Sequence, residues 1–290
     1  MKKIGILTDS SSGLSIKQCE DIGIHSLPMP FLINEKEYYE EKNISKKEFF
    51  KVLNEGASFS TSQPSPDEVL NKWDELLKVY DEILYFPITS GLSSSYSTAM
   101  TLAEDDKYKN KIFVVDHKRI TGCLVNCLKD AKAMIDSGKS CLEVRNIVEQ
   151  DRCKSSYIIQ LDTLDYLAKG GRMNNAAAFI GNILSVKPIL ASSGNKFELV
   201  SKTRTLSSGK QIILDLTKEF IDKELKCSDY NELVFYSVHI QNETFAKEFA
   251  EDIKSYFSLN KDVEIHELPL VVACHIGPGA IACAMCKPLS

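Results

Sequence analysis

The chain lacks any apolar run approaching the roughly 18–20 residues of a membrane-spanning helix, so no helical span is expected. It also lacks a basic excess. The 35 Lys and Arg stand against 40 Asp and Glu, a net charge of -5, which argues against a nucleic-acid surface and leaves room only for a local basic patch. The apolar core of a secretory signal is missing too. Met1-Lys2-Lys3 leads into Ile4-Gly5-Ile6-Leu7, but the chain turns polar at once in Thr8-Asp9-Ser10. A cytoplasmic protein is expected, with no transmembrane segment and at most a transient contact with a membrane.

Several chemical motifs are absent as well. No G-x-x-x-x-G-K-[ST] loop is present to cradle a nucleotide, and no spaced acidic cluster suits Mg²⁺. Gly91-Leu92-Ser93-Ser94-Ser95 breaks the G-x-S-x-G of a serine hydrolase, because Ser95 stands where the second glycine belongs. The nine cysteines are odd in number and scattered, as expected of reduced, mostly buried thiols. Cys283 and Cys286 form a C-x-x-C, but a zinc ribbon needs a second pair, and none exists. Their segment, Ala280-Ile281-Ala282-Cys283-Ala284-Met285-Cys286, reads as a buried terminal strand. Residues three apart on a strand face opposite ways. Neither catalysis by the chain alone nor a bound metal is expected.

What is present is a chain of 290 residues with 43% hydrophobic content, long enough for a sizeable core and, at roughly 150 residues per domain, for about two domains. The first half alternates short apolar runs with helical patterns. Residues 4–7, 83–86 and 112–115 read as strands, with a further strand at 24–27. Ser45-Lys46-Lys47-Glu48 and Ser65-Pro66-Asp67-Glu68 fit capping boxes, and Pro66 suits a first helical position. Alternating strand and helix implies a parallel sheet covered on both faces. The second half reads as strands at 157–161, 188–192, 196–200, 233–238, 263–267 and 280–286, with helices over 206–225 and 243–257. Ser193-Gly194-Asn195 joins two of these strands as a hairpin. A mixed six-stranded sheet with helices on one side is expected. The polar stretch 151–155 marks the boundary, giving domains 1–153 and 154–290.

In open parallel sheets, ligands bind beyond the carboxyl ends of the strands. The first-half strands end in hydroxyl-rich loops: Thr8-Asp9-Ser10-Ser11-Ser12-Gly13 and Thr89-Ser90-Gly91-Leu92-Ser93-Ser94-Ser95. A third polar loop, Ser60-Thr61-Ser62-Gln63-Pro64-Ser65, precedes the Pro66 helix. Taken singly, such serines and threonines serve as caps and turn formers. Three together at one sheet edge favour an anion site. Ser93 is placed to cap a helix over 96–102. The turn His275-Ile276-Gly277-Pro278-Gly279 should fix His275 at a strand end. Gly170-Gly171 should end a short helix capped by Asp162. Arg172 follows at once, suited either to a surface salt bridge or to a ligand carboxylate. Ala176-Ala177-Ala178-Phe179-Ile180-Gly181 offers little bulk, which suits close helix packing or a narrow apolar groove.

Thr8-Asp9-Ser10, Thr61-Ser62-Gln63-Pro64-Ser65, Ser90-Gly91-Leu92-Ser93, Gly170-Gly171-Arg172 and His275-Ile276-Gly277-Pro278-Gly279 stand in the order seen in the DegV family, which the chain resembles over residues 4–285. Cys274 and Cys286 belong to none of these motifs. The resemblance implies two α/β domains: a three-layer α/β/α domain on a parallel sheet, carrying carboxylate-binding loops, and a mixed-sheet domain covering an acyl chain. It implies a long-chain fatty acid held between them, as ligand rather than cofactor. The carboxylate contacts it implies are Thr61, Ser93 and His275, with Ser62 and Ser94 as adjacent donors, Arg172 near the carboxylate, and the acyl chain along residues 176–184. Members that work with a fatty-acid kinase hold the acid while the kinase phosphorylates it, and the acyl-phosphate feeds phospholipid synthesis. Arg204, in Lys202-Thr203-Arg204-Thr205, resembles an arginine proposed for kinase contact. Two rival readings stand beside this one. One is a substrate-binding enzyme subunit, since the family's first domain resembles that of dihydroxyacetone kinases. The other is a regulatory protein whose lipid only stabilises the fold.

Overall fold

The computed structural model describes residues 2–172 and 186–289. The chain divides into two compact units. Met1–Cys153, with Pro269–Val271 and Leu289–Ser290, make the first; Lys154–Leu268 and Val272–Pro288 make the second.

The first unit runs β1 (Ile4–Asp9), α1 (Ile16–Asp21), β2 (His25–Leu27), β3 (Pro30–Ile33), β4 (Lys36–Tyr39), α2 (Lys46–Asn54), β5 (Phe59–Thr61), α3 (Pro66–Leu76), β6 (Glu82–Phe86), α4 (Ser95–Ala103), β7 (Ile112–Val114), α5 (Thr121–Asp136) and α6 (Cys141–Gln150). Four strands form a wholly parallel sheet in the order β2-β1-β6-β7. Their side chains alternate between two cores. Ile6, Leu84 and Phe86 pack against Leu124, Leu128, Val144 and Val148 from α5 and α6. Leu7, Ile83 and Tyr85 pack against Val69, Trp73 and Ala99 from α3 and α4. Both faces are covered, so the strands read as continuous apolar runs. The helices start where side chains satisfy their first N–H groups. The expected capping boxes at Ser45/Glu48 and Ser65/Glu68 are formed, and two more stand at Ser15/Gln18 and Ser140/Glu143.

A three-stranded antiparallel sheet, in the order β4-β3-β5, is an addition to the expected architecture. It turns through Asn34 (φ 49°) and Glu35 (φ 68°), both left-handed as a type I′ hairpin requires. Its ladder pairs Phe31 with Thr61 and so fixes the end of β5.

The second unit contains β8 (Ser155–Gln160), α7 (Asp165–Gly170), β9 (Lys187–Ser192), β10 (Glu198–Thr203), α8 (Lys210–Phe220), β11 (Val234–His239), α9 (Glu243–Tyr256), β12 (Glu264–Glu267), α10 (Leu270–Ile276) and β13 (Ile281–Cys286). Leu270 and Val271 count with the first unit, where the Leu270 N–H donates to Glu40 Oε2 at 2.8 Å. The six strands lie in the order β10-β9-β8-β13-β11-β12, antiparallel except for β11 with β12. Helices α8 and α9 cover one face, packing Ile213, Phe249 and Ile253 against Ile158, Phe235, Ile281, Cys283 and Met285. Cys286, three residues from Cys283, falls on the other face by alternation, and both thiols are buried and reduced.

Three local expectations change. Residues 270–276 form a helix, not a strand: an apolar run buried all round shows no periodicity to distinguish the two. Asp162 does not cap α7; it pairs with Lys187, and Thr163 Oγ1 accepts from the Asp165 N–H at 3.2 Å instead. The strand expected over 196–200 begins at Glu198, because the hairpin turn takes the residues before it.

Phe249 is fully buried between α9 and the sheet. Phe249→Ala should cost about 3–5 kcal/mol of unfolding free energy in urea titration. Val79, 54% exposed, should change stability by less than about 0.5 kcal/mol when replaced by Ala.

Candidate functional site

The carboxyl end of β1 is organised by Asp9. Its buried carboxylate accepts from the Ser11 N–H at 3.0 Å and the Ser11 hydroxyl at 2.5 Å through Oδ1. Through Oδ2 it accepts from the Ile88 N–H at 2.6 Å, just past the end of β6. Burial pushes its pKa up to about 6, against the pull of these donors. The other hydroxyls of this loop are committed locally. Ser10 Oγ accepts from the Met29 N–H at 2.9 Å, and Ser12 Oγ donates to the Asp9 carbonyl at 3.1 Å. Ser11 and Ser12 donate to Asp9 and Ser10 accepts from Met29, so the first of the three expected anion loops ties strand ends together and its serines act as turn formers.

The other two hydroxyl loops are brought together. Thr61 ends β5, half-buried, and the exposed Ser62 donates its N–H to the Pro30 carbonyl at 3.4 Å. Gln63 Oε1 accepts from Thr98 Oγ1 on α4 at 3.1 Å, which ties this loop to the segment that follows β6. In that segment Ser93 is half-buried, and its hydroxyl accepts from the Ser95 N–H at 3.2 Å and lies 2.9 Å from Ser95 Oγ. Ser93 thus serves the first turn of α4, as expected, although the helix starts one residue earlier than expected. Ser94 stands at the cap position with an exposed side chain that makes no capping bond.

The end of β7 carries chemistry that the motif resemblance passes over. His117 is buried, its Nε2 lying 2.6 Å from the Pro87 carbonyl and its Nδ1 accepting from the Arg119 N–H at 3.0 Å. That pairing makes Nε2 the protonated nitrogen of a neutral ring. Burial lowers its pKa to about 4. Lys118 donates to Ser90 Oγ, in the loop of Ser93, and lies 3.8 Å from Asp116 Oδ2. The rule that marks loops at the carboxyl ends of β1 and β6 applies equally to β7, and applied there it points to Lys118.

In the second unit, His275 lies in the last turn of α10, not at a strand end. The turn behind it needs glycine. Gly277 has φ 77°, and a Cβ there would run into the Tyr166 ring. Burial first, then the charge of Arg172, push the His275 pKa down to about 4, so the ring is neutral near pH 7. The structure thus places these two expected residues within electrostatic reach of each other. Arg172 itself is half-buried, and its carbonyl accepts from the Phe197 N–H at 3.1 Å. Arg204 is exposed directly after β10. The loop beyond it is held by Gln160, whose Nε2 donates to Thr203 Oγ1 at 2.6 Å and to the Thr205 carbonyl at 2.9 Å. The expected acyl path along residues 176–184 lies outside the described residues. Among the described residues no group of three or more His, Cys, Asp or Glu is arranged to hold a metal, and no helix is long and apolar enough to cross a membrane.

Two α/β units, with hydroxyl segments after β5 and β6 in one and a half-buried His275 within electrostatic reach of Arg172 in the other, define a class that comparison places. The profile of a family described as uncharacterised DegV proteins matches residues 3–287. A DegV domain-containing protein of Caldanaerobacter subterraneus is 31% identical over 287 residues, 97% of each chain. One of Clostridium acetobutylicum is 32% identical over 288 residues, 97% of this chain and 96% of its own. The chain belongs to the DegV family. Its fold matches the crystal structure of a fatty-acid-binding DegV protein of Streptococcus agalactiae, with TM-score 0.86, 25% identity and 99% of both chains covered. A stearic-acid-binding protein of Eubacterium ventriosum shares the fold with TM-score 0.86 at 22% identity, again over 99% of both chains.

The buried titrating groups set a pH dependence. His117 and His275 titrate near 4 in the folded chain and near 6.5 in the unfolded one, so the unfolded chain binds more protons between and their contribution to stability rises with pH through that window. Asp9 has the opposite sign. Its folded value of about 6 exceeds the ordinary 3.8, and its contribution falls as pH rises between them. His117→Gln should therefore shrink the gain in unfolding free energy between about pH 4.5 and about pH 6.5 in urea titrations. An unchanged gain would show that His117 is not held neutral.

Proposed function

We propose that this chain is a carrier for one long-chain fatty acid and presents the acid's carboxylate to a partner fatty-acid kinase for acyl-phosphate formation, without catalysing a reaction itself. The observation that carries the reading is the joining of the Thr61–Gln63 loop to the Ser90–Ser94 segment through Gln63 and Thr98. The hydroxyl donors after β5 are thereby tied to those that follow β6 at the carboxyl edge of the parallel sheet, where such sheets bind ligands. The fatty-acid-binding DegV protein of Streptococcus agalactiae, similar over nearly its whole length, supports the choice of ligand.

The roles follow from the chemistry of the groups. Thr61 and Ser93 are hydrogen-bond donors to the carboxylate, with Ser62 and Ser94 beside them. In the second unit the candidate groups are His275, whose neutral ring can donate one hydrogen bond, and Arg172, whose planar fork suits a carboxylate. Each buried methylene adds about 0.8 kcal/mol, so the tail supplies most of the affinity and the head-group donors supply selectivity. A carboxylate presented for transfer must also remain within reach of the partner's phosphate donor. Arg204, exposed after β10, is the residue proposed to meet the kinase. The cytoplasm is where such a kinase would be met.

Ser93→Ala should weaken retention of oleate by about 1–3 kcal/mol, read by isothermal titration. Unchanged binding would remove Ser93 from the site. Arg172→Ala should reduce kinase-dependent acyl-phosphate formation more than it reduces oleate binding; equal losses would make Arg172 part of the binding pocket only. A carrier should also exchange its bound acid for added labelled acid, whereas a lipid that only stabilises the fold should stay in place.

A further inference from the structure

Lys118 follows β7 in the left-handed backbone region (φ 52°), which residues with side chains seldom adopt, and Thr121 (φ 47°) shares it. Only 17% of the Lys118 side chain is exposed. Its ammonium donates to Ser90 Oγ and lies 3.8 Å from Asp116 Oδ2, and among the described residues these are its polar contacts. An ammonium has three donors, and 3.8 Å is beyond hydrogen-bonding distance. Asp116 does not neutralise it alone either, because the same Oδ2 lies 3.5 Å from Arg152 Nη1. A largely buried cation with unused donors is costly unless an anion completes its shell.

Ser90 opens the segment that carries Ser93 and Ser94. Hydroxyl groups hold an acid and an alcohol almost alike, since each offers an oxygen acceptor. A cation on the same segment distinguishes the two by charge. We infer that Lys118 is a head-group-binding residue of the first unit, its ammonium on Ser90 meeting the carboxylate beside Ser93 and selecting acids over neutral lipids. This rests on the carrier reading proposed above and assigns to it a residue that the motif resemblance leaves without a role.

The test compares oleate with oleyl alcohol, which share a tail and differ in charge. The wild-type chain should prefer oleate. Lys118→Met should weaken oleate binding about tenfold, leave oleyl alcohol unchanged, and Lys118→Arg should restore most of the preference. Equal oleate affinity for wild type and Lys118→Met, or equal losses for both lipids, would overturn the inference. Should Lys118→Met fail to fold, Ser90→Ala removes the ammonium's anchor and keeps its charge. It should then lose affinity for oleate alone, and the same two outcomes count against Lys118. A wild-type chain that takes up neither lipid overturns the carrier reading and this inference together. Oleate binding weakened by Ser93→Ala but not by Lys118→Met overturns this inference alone.

Discussion

A single buried carboxylate sets the geometry on which the candidate site depends. Asp9 receives the Ser11 N–H and hydroxyl on one oxygen and the Ile88 N–H on the other, so it clamps the exits of β1 and β6 to each other. An isolated buried charge would be prohibitive; three donors make it tolerable. The clamp fixes the direction in which the chain leaves β6, and therefore where Ser90 and Ser93 stand. Asp9 itself is fully occupied and is a scaffold group, not a ligand contact. Its raised pKa records the cost of burial in spite of those donors.

Much of this was readable from the chain, and the failures have physical causes. Runs such as Ile83-Leu84-Tyr85-Phe86 are apolar at every position because both faces of the sheet are covered, so they stand out. Capping boxes at Ser45 and Ser65 show themselves through residue type and spacing alone, and the same pattern stands at Ser15 and Ser140. The β3–β5 sheet is harder. Its strands are three or four residues long, and its type I′ turn uses Asn34-Glu35, without the glycine that usually marks such turns. The helix carrying His275 looks like a strand because Leu270-Val271-Val272-Ala273-Cys274 is apolar on every side.

The site was legible as a set of residue types, less so as geometry. Sequence order marks Thr8-Asp9-Ser10 as a hydroxyl loop as good as the other two, yet its oxygens are spent on Met29, Asp9 and Leu14. A hydroxyl that accepts a backbone N–H keeps its own proton, so whether a serine is a strut or a donor depends on what its O–H faces, and that is a tertiary fact. Lys118 shows the converse. No motif singles it out, but a left-handed turn after β7 folds its ammonium back onto Ser90. In the second unit, desolvation keeps His275 neutral beside Arg172, so one group donates without charge and the other with it.

These pieces make a consistent division of labour for a carrier. In the proposed carrier, strand exits would position the polar donors, the tail would supply binding energy through its methylenes, and the charge pattern would choose the head group. The most direct test is native mass spectrometry of the purified wild-type chain, before and after incubation with oleate. The account predicts a species heavier by the mass of one long-chain fatty acid, which shifts to the mass of bound oleate on incubation. A chain that shows only its own mass in both samples would contradict it.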